Sequence, residues 1–484
     1  MEKINKAIIP VKDPITAGVN IGKAGSNLVA SGLNATKSTL SSVTGSGKVL
    51  GGKIANFFTP DRLWNIFIIV LFIVLIVVAI LGIKNAYKSN STLSTPQNIA
   101  IIKAAQMTAL EKRWIGVKQT KTGLQDAITK IPSDQQLLIN FSVFSTRLTG
   151  FLGPYISGVF DEDTAVRTSL STGARCLILE IGRLTDSYEP ILIYRDGWGI
   201  KSSLNTGNIT AVATGIARHA FNPSNGVPPA TASDPLFVVV YFTDTPDPVK
   251  TPLENVRFMA KVAEQLQPLS NLIIGQTPQG DFRRQGMESQ MFFINTSVFS
   301  QKIIMLTNAD TTPFRRLNAL GLGGEIDSNK DLDLLIHARL YSHESPSGLG
   351  ITSSPLTNTT PAAVITTPSY WLNTPPDRIA QAQTNTKKAW SIVMPPIAYE
   401  GAGIIKQDAL KQLLEQYGVQ SIPICLFDTP AITDLFTGKG APYENTVWVA
   451  KPELIRYIPP KPIAVQKAIP ETNSNGGAIS SPSF

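Results

Sequence analysis

The longest apolar stretch of the chain, LWNIFIIVLFIVLIVVAILGI at residues 63–83, contains no charged residue. At about 1.5 Å per residue a helix of this length reaches roughly 30 Å, the thickness of a hydrocarbon core, so the stretch predicts one transmembrane helix. A cleaved leader carries a shorter apolar run close to the N-terminus, so this run is expected to stay as an anchor. Lys48, Lys53 and Arg62 on one side balance Lys84, Lys88 and Lys103 on the other, which leaves the orientation open. Residues 1–62, before the anchor, are basic and rich in Gly and Ser. They fit a disordered tail, or an interfacial helix whose weak apolar stripe runs through Val19, Leu28, Leu33, Leu40 and Leu50.

Beyond the anchor, residues 84–133 carry a helical period through Ile102, Ala105, Ala109 and Leu110, which predicts a stalk. From residue 134 to 460 short β-branched runs alternate with amphipathic helical patterns, the signature of βα units around a parallel sheet. The clearest strands are CLILEI (176–181), PILIY (190–194), LFVVVYF (236–242), KIIML (302–306), DLLIHARLY (333–341), IPICLF (422–427) and VWVA (447–450). Their hydrophobicity is continuous rather than alternating, which predicts burial on both faces. Thr251, Pro252 and Glu254 open a helix with a capping box, and Asp408 opens another that stops at Gly418. Residues 345–377 form a Pro/Thr/Ser/Asn tract without periodicity and read as an insertion, and residues 461–484 read as a disordered tail.

Composition narrows the chemistry. The net charge of +8 is scattered, with no run of five basic residues, so no specific nucleic-acid partner is indicated. The two cysteines, Cys176 and Cys425, both fall in apolar runs and do not form a disulfide framework. No zinc-ligand spacing is present, and the three histidines are His219, His337 and His343. His219 reads as a packing residue and His337 as a hydrogen-bonded core residue. His343 stands just after a strand, where barrels deliver their active groups.

A family resemblance emerges from the order of the strands. GARCLILEI (173–181) followed by EPILIYRDGWGIKSS (189–203) resembles the GCRCIELD and EPIIYHGHTLTSK run of eukaryotic-type phosphoinositide-specific phospholipase C catalytic domains. SVFSTRLTG (142–150) is similar to that family's SSHNTYLTG, DPLFVVVYF (234–242) to its PVILSLEN strand, and KIIMLTN (302–308) to its KILIKGK strand. In the second half DLDLLIHARLYS (331–342), NTKKAWSIVMPP (385–396), PICLFDTP (423–430) and NTVWVAKPELIR (445–456) follow the order of the family's Y region. The resemblance implies an α/β fold, a phospholipase C-like TIM (β/α)8 barrel. The 345–377 tract then stands for the linker between the X and Y halves.

The family cleaves a phosphodiester with two histidines as base and acid and a Ca²⁺ ion held by oxygen ligands. Carried onto this chain, the first histidine falls at Phe144 and the second at Arg195, or at Trp198 with a different gap. None of these shuttles protons near neutral pH. The calcium ligands fall at Ser145, Ile178, Glu180 and Tyr241, of which only Glu180 is a carboxylate, so no metal and no cofactor are expected. The phosphate-reading lysines fall at Leu306 and Asn308, and an arginine falls near Ile392.

The expectation is therefore a single-pass membrane pseudoenzyme that serves binding or structural assembly, as in a membrane-containing virion or an organelle scaffold. Its partners would be the lipid bilayer, anionic lipid head groups, and proteins that the sequence does not name. Two alternatives stay open. One is an active phosphodiesterase or phospholipase rebuilt around His343, Glu344 and Glu180. The other is a head-group receptor using Arg195, Asp196 and Glu180.

Overall fold

The computed structural model describes residues 94–114, 121–155, 157–184, 187–195, 201–277, 280–282, 288–311, 330–342, 361–395, 405–428 and 430–460, besides 68–72 and 74. The tails predicted at 1–62 and 461–484 lie outside this set, as does most of the anchor predicted at 63–83. The described anchor residues, among them Ile69 and Phe72, are helical and exposed. No helix among the described residues is long and apolar enough to cross a membrane. The chain divides into two compact units, Met1–Lys88 and Ser89–Phe484.

The second unit is built around a ring of parallel strands. Ser145–Thr146, Cys176–Gly182, Leu236–Phe242, Ile303–Thr307, Ala338–Ser342, Ala363–Thr366 and Trp390–Val393 each pair in parallel with the next. The eighth position is an irregular stretch at 421–424. Ser421 bridges Ile392 on one side and Val143 on the other, and Ile424 bridges Thr146, which closes the ring. Helices Glu162–Ser171, Ile209–His219, Pro252–Leu266, Ile379–Lys388 and Pro430–Thr437 cover it. This is the (β/α)8 barrel that the resemblance implies, and Cys176–Gly182 and Leu236–Phe242 are buried at every residue, as their continuous apolar runs predict.

Three strand expectations change. The tract at 345–377 contains the sixth barrel strand, Ala363–Thr366, and a helix, Pro368–Leu372. Its flanking Thr and Pro hide a strand of four residues, and all four are buried. The run at 190–194 contributes only Ile191–Leu192, a hairpin antiparallel to the second barrel strand rather than a strand of the ring. The run at 447–450 stands outside the ring as well: Trp448–Ala450 pairs antiparallel with Phe141–Val143.

That ribbon caps the end of the barrel where the strands begin. Phe237 stacks on Trp390 at 4.3 Å between ring centroids, and Phe292 stacks on it at 5.4 Å. Asp234 accepts the Trp448 indole N–H at 3.0 Å and the Leu124 amide. Burial raises the Asp234 carboxyl to about 6, against the opposing pull of Arg175. Lys451, from the KPELIR stretch, is buried, donates to the Thr386 carbonyl at 2.8 Å, and is held well below its usual pKa by burial.

Within the 84–133 segment expected as a stalk, the described helix is packed on the barrel. Helix Pro96–Trp114 buries Leu110 and Trp114 against Leu152, Val159, Ala165, Leu204 and Leu426. The helix opened by Thr251 starts at Pro252 as expected, but Thr251 makes no side-chain cap and donates to the Asp247 carbonyl instead. The helix expected from Asp408 runs as Gln407–Lys411 continued by one wide turn, Gln412–Gln416, and stops before Gly418 at φ +66°.

Candidate functional site

Side chains alternate along a strand, so the inward set is fixed once one member is known. Ser145 faces the barrel interior, where Ser421 Oγ meets its hydroxyl at 2.8 Å and Cys176 Sγ at 3.6 Å. Arg147, two residues on, therefore points inward where the strands end. Phe144, one residue back, points outward. Its fully buried ring packs on Tyr443 at 5.6 Å, beneath the Lys121 ammonium. The family's first histidine position, carried to Phe144, thus does not open on the barrel mouth.

At the mouth, Arg147 Nε donates to Glu180 Oε1 at 2.8 Å, with both side chains less than 10% exposed. Arg147 Nη1 also donates to the Pro395 carbonyl at 2.6 Å, tying the first, second and seventh strands together. Burial works against the guanidinium charge, but the Glu180 carboxylate outweighs it and holds the pKa above its ordinary value. Tyr241 lies beside Glu180 in register, and burial with the Glu180 charge pushes its phenol up to about 12. Of the carried calcium positions, Ser145 is engaged inside the barrel, Ile178 is apolar, Tyr241 is a protonated phenol and Glu180 belongs to Arg147. This donor set does not fit a calcium ion, which asks for six or more oxygen ligands.

The other carried positions are structural as well. Asn308 accepts the Phe242 amide at 2.8 Å and donates to its carbonyl at 3.0 Å, while Leu306 and Ile392 are buried in their strands. Arg195 does not join Glu180. The Ile191–Leu192 hairpin carries it to the outer rim, where it donates to the Arg183 carbonyl at 2.9 Å and stands 3.8 Å from Asp244. Asp196, Trp198, His343 and Glu344 lie outside the described residues.

His337 is the satisfied core histidine expected: Nδ1 accepts the Met305 amide at 2.9 Å and Nε2 donates to the Ile274 carbonyl at 2.8 Å. Burial lowers its pKa to about 4, so it is neutral. His219 packs between two helices against Asp163.

Above the Arg147–Glu180 pair the mouth is covered by aromatic side chains that sequence reading did not single out. Tyr155 sits edge-on to Phe427 at 4.8 Å and 6.2 Å from Tyr194, while Phe151 touches Phe160, Tyr194 and Phe427. Gly153 makes the approach possible: it has φ +73°, and a Cβ there would meet the Phe427 ring at 2.2 Å. The Tyr155 hydroxyl donates to Asp428 Oδ1 and lies against the Cys425 thiol. Burial, then Asp428, raise the Cys425 thiol well above its usual pKa, which keeps it protonated and a poor nucleophile. Besides Glu180, the sequence signal for this polar floor is Arg147, which stands in SVFSTRLTG where the family's motif has tyrosine.

No family model matches the chain, and no curated protein matches it. Among solved structures it is similar to PLC21 of L. pealei, at 15% identity over 66% of this chain and 38% of that one, with a TM-score of 0.43. PLC21 of S. officinalis gives 15% identity, 68% and 40% coverage, and a TM-score of 0.42. A Ca²⁺-dependent phosphatidylinositol-specific phospholipase C from Streptomyces antibioticus is matched over 59% of this chain and 94% of its own, at 10% identity and a TM-score of 0.36. The chain thus spans well under half the length of the two PLC21 proteins and nearly all of the bacterial one. The fold that the chain itself shows is a closed ring of parallel strands covered by helices, a (β/α)8 barrel.

Proposed function

We propose that the chain is a membrane-anchored, phospholipase C-like pseudoenzyme that acts by binding or by structural assembly rather than by turnover. The observation that carries this reading is the Arg147–Glu180 pair: a guanidinium fixed to the chain occupies the carboxylate that a metal-dependent phosphodiesterase needs at this mouth. A permanent internal cation neutralises Glu180 and is itself tied to the Pro395 carbonyl, so neither partner is free to coordinate an exchangeable ion. The uncharged run at 63–83 supports the anchored placement.

The test is turnover by the full chain in detergent or lipid discs, with phosphoinositides and glycerophosphodiesters as substrates, with and without Ca²⁺. The expected result is no hydrolysis above background. Hydrolysis abolished by His343→Ala would establish the rebuilt active site instead.

A further inference from the structure

The aromatic cover of the mouth is not held by the barrel alone. Gln106, at the middle of helix Pro96–Trp114, places its amide against the backbone of the covering loop: Nε2 donates to the Ser157 carbonyl at 3.1 Å and Oε1 accepts the Val159 amide at 3.1 Å. Lys103 adds an ion pair with Asp161 at 3.1 Å, and Met107 Sδ accepts the Thr164 hydroxyl at 3.6 Å. The end of the same helix is fixed at the opposite side of the mouth. Trp114 is buried and donates its indole N–H to the Leu426 carbonyl at 2.9 Å, beside Phe427 and Asp428, which receive the loop's Tyr155.

We propose that helix Pro96–Trp114 is a strap that holds the Phe151–Tyr155–Phe160 loop closed over the barrel mouth, so that access to the Arg147–Glu180 floor is set by the Gln106 contact. The contact has the properties of a release point. It is made of two neutral hydrogen bonds, which are weak once solvent exchange is counted, while the Trp114 end is fixed by a buried indole, so the loop frees before the helix detaches. The loop's own Tyr155 hydroxyl donates to Asp428, which gives the closed state a second fastening. The device holds whether or not the mouth turns over a substrate, because it concerns entry and not chemistry.

The two cysteines make the motion readable. Cys425 lies directly under Tyr155, and Cys176 lies inside the barrel against Ser421. The full chain in detergent micelles is treated with iodoacetamide and each cysteine is followed by mass spectrometry. Gln106→Ala and Tyr155→Phe are each expected to speed labelling of Cys425 about tenfold, with Cys176 protected throughout. Unchanged Cys425 labelling in both variants overturns the strap, and so does labelling of Cys176 in step with Cys425, which would mean that the whole barrel opens. Hydrogen exchange on the unmodified protein gives a check that needs no variant. The Val159 amide is expected to exchange faster than the amides of Leu236–Phe242, and exchange of both at one rate contradicts the proposal.

Discussion

The two ends of the barrel are built on opposite principles. Where the strands begin, large rings fill the space: Phe237, Trp390 and Phe292 stack, Trp448 is pinned by Asp234, and Lys451 is sealed beneath the capping ribbon. Where the strands end, the floor is an ion pair, Arg147–Glu180, roofed by a loop that depends on a separate helix. The first end makes the fold and the second is free to differ without unmaking it. The stretches GARCLILEI and KPELIR accordingly supply a core strand and the base.

Truncation at the base is expected to have the largest effect. Trp390→Ala removes a fully buried ring with two stacked aromatic partners and is expected to cost about 4 kcal/mol in denaturant unfolding. A loss below about 1 kcal/mol would mean that the base is not the stabilising end. At the mouth, Arg147→Ala leaves the Glu180 carboxylate buried without its partner and is expected to cost about 3 kcal/mol, whereas Arg147→Met with Glu180→Met should recover most of that loss. If the double variant is no better than the single, the mouth is not an isolated pair.

The smallest effect depends on pH. Asp234 has its folded pKa raised to about 6, so the folded state binds its proton more tightly than the unfolded chain does. The stability it contributes is fully present below the ordinary carboxyl value near 4 and is lost as pH rises through 6, an amount of about 3 kcal/mol at most. Unfolding of wild type and Asp234→Asn between pH 4 and 7 is expected to show wild type losing ground as pH rises. Parallel profiles would remove Asp234 from the ionisation balance of the base.

The sequence makes the buried strands legible because continuous apolar runs such as LFVVVYF leave few alternatives to a doubly covered strand. Ala363–Thr366 escapes the same logic because four residues among Pro and Thr carry too little pattern. Helix Pro96–Trp114 is legible as a helix, but its placement rests on Leu426 and Val159, partners far away in sequence that no local period reveals. The site is less legible than the fold. Matching SVFSTRLTG to a motif draws attention to Phe144, whereas the pleat turns that ring away from the mouth and brings in Arg147 instead. Glu180 is the one carboxylate the sequence draws attention to at this mouth, but its partner stands 33 positions earlier and Arg195 stands beside Asp244.

Calcium titration of the full chain by calorimetry bears most directly on the proposal that Arg147 stands where a metal would. Wild type is expected to show no saturable heat in the micromolar to millimolar range, and Glu180→Gln to be indistinguishable from it. Saturable binding in wild type that disappears in Glu180→Gln would show that Glu180 serves a metal after all, and that the guanidinium does not occupy its place.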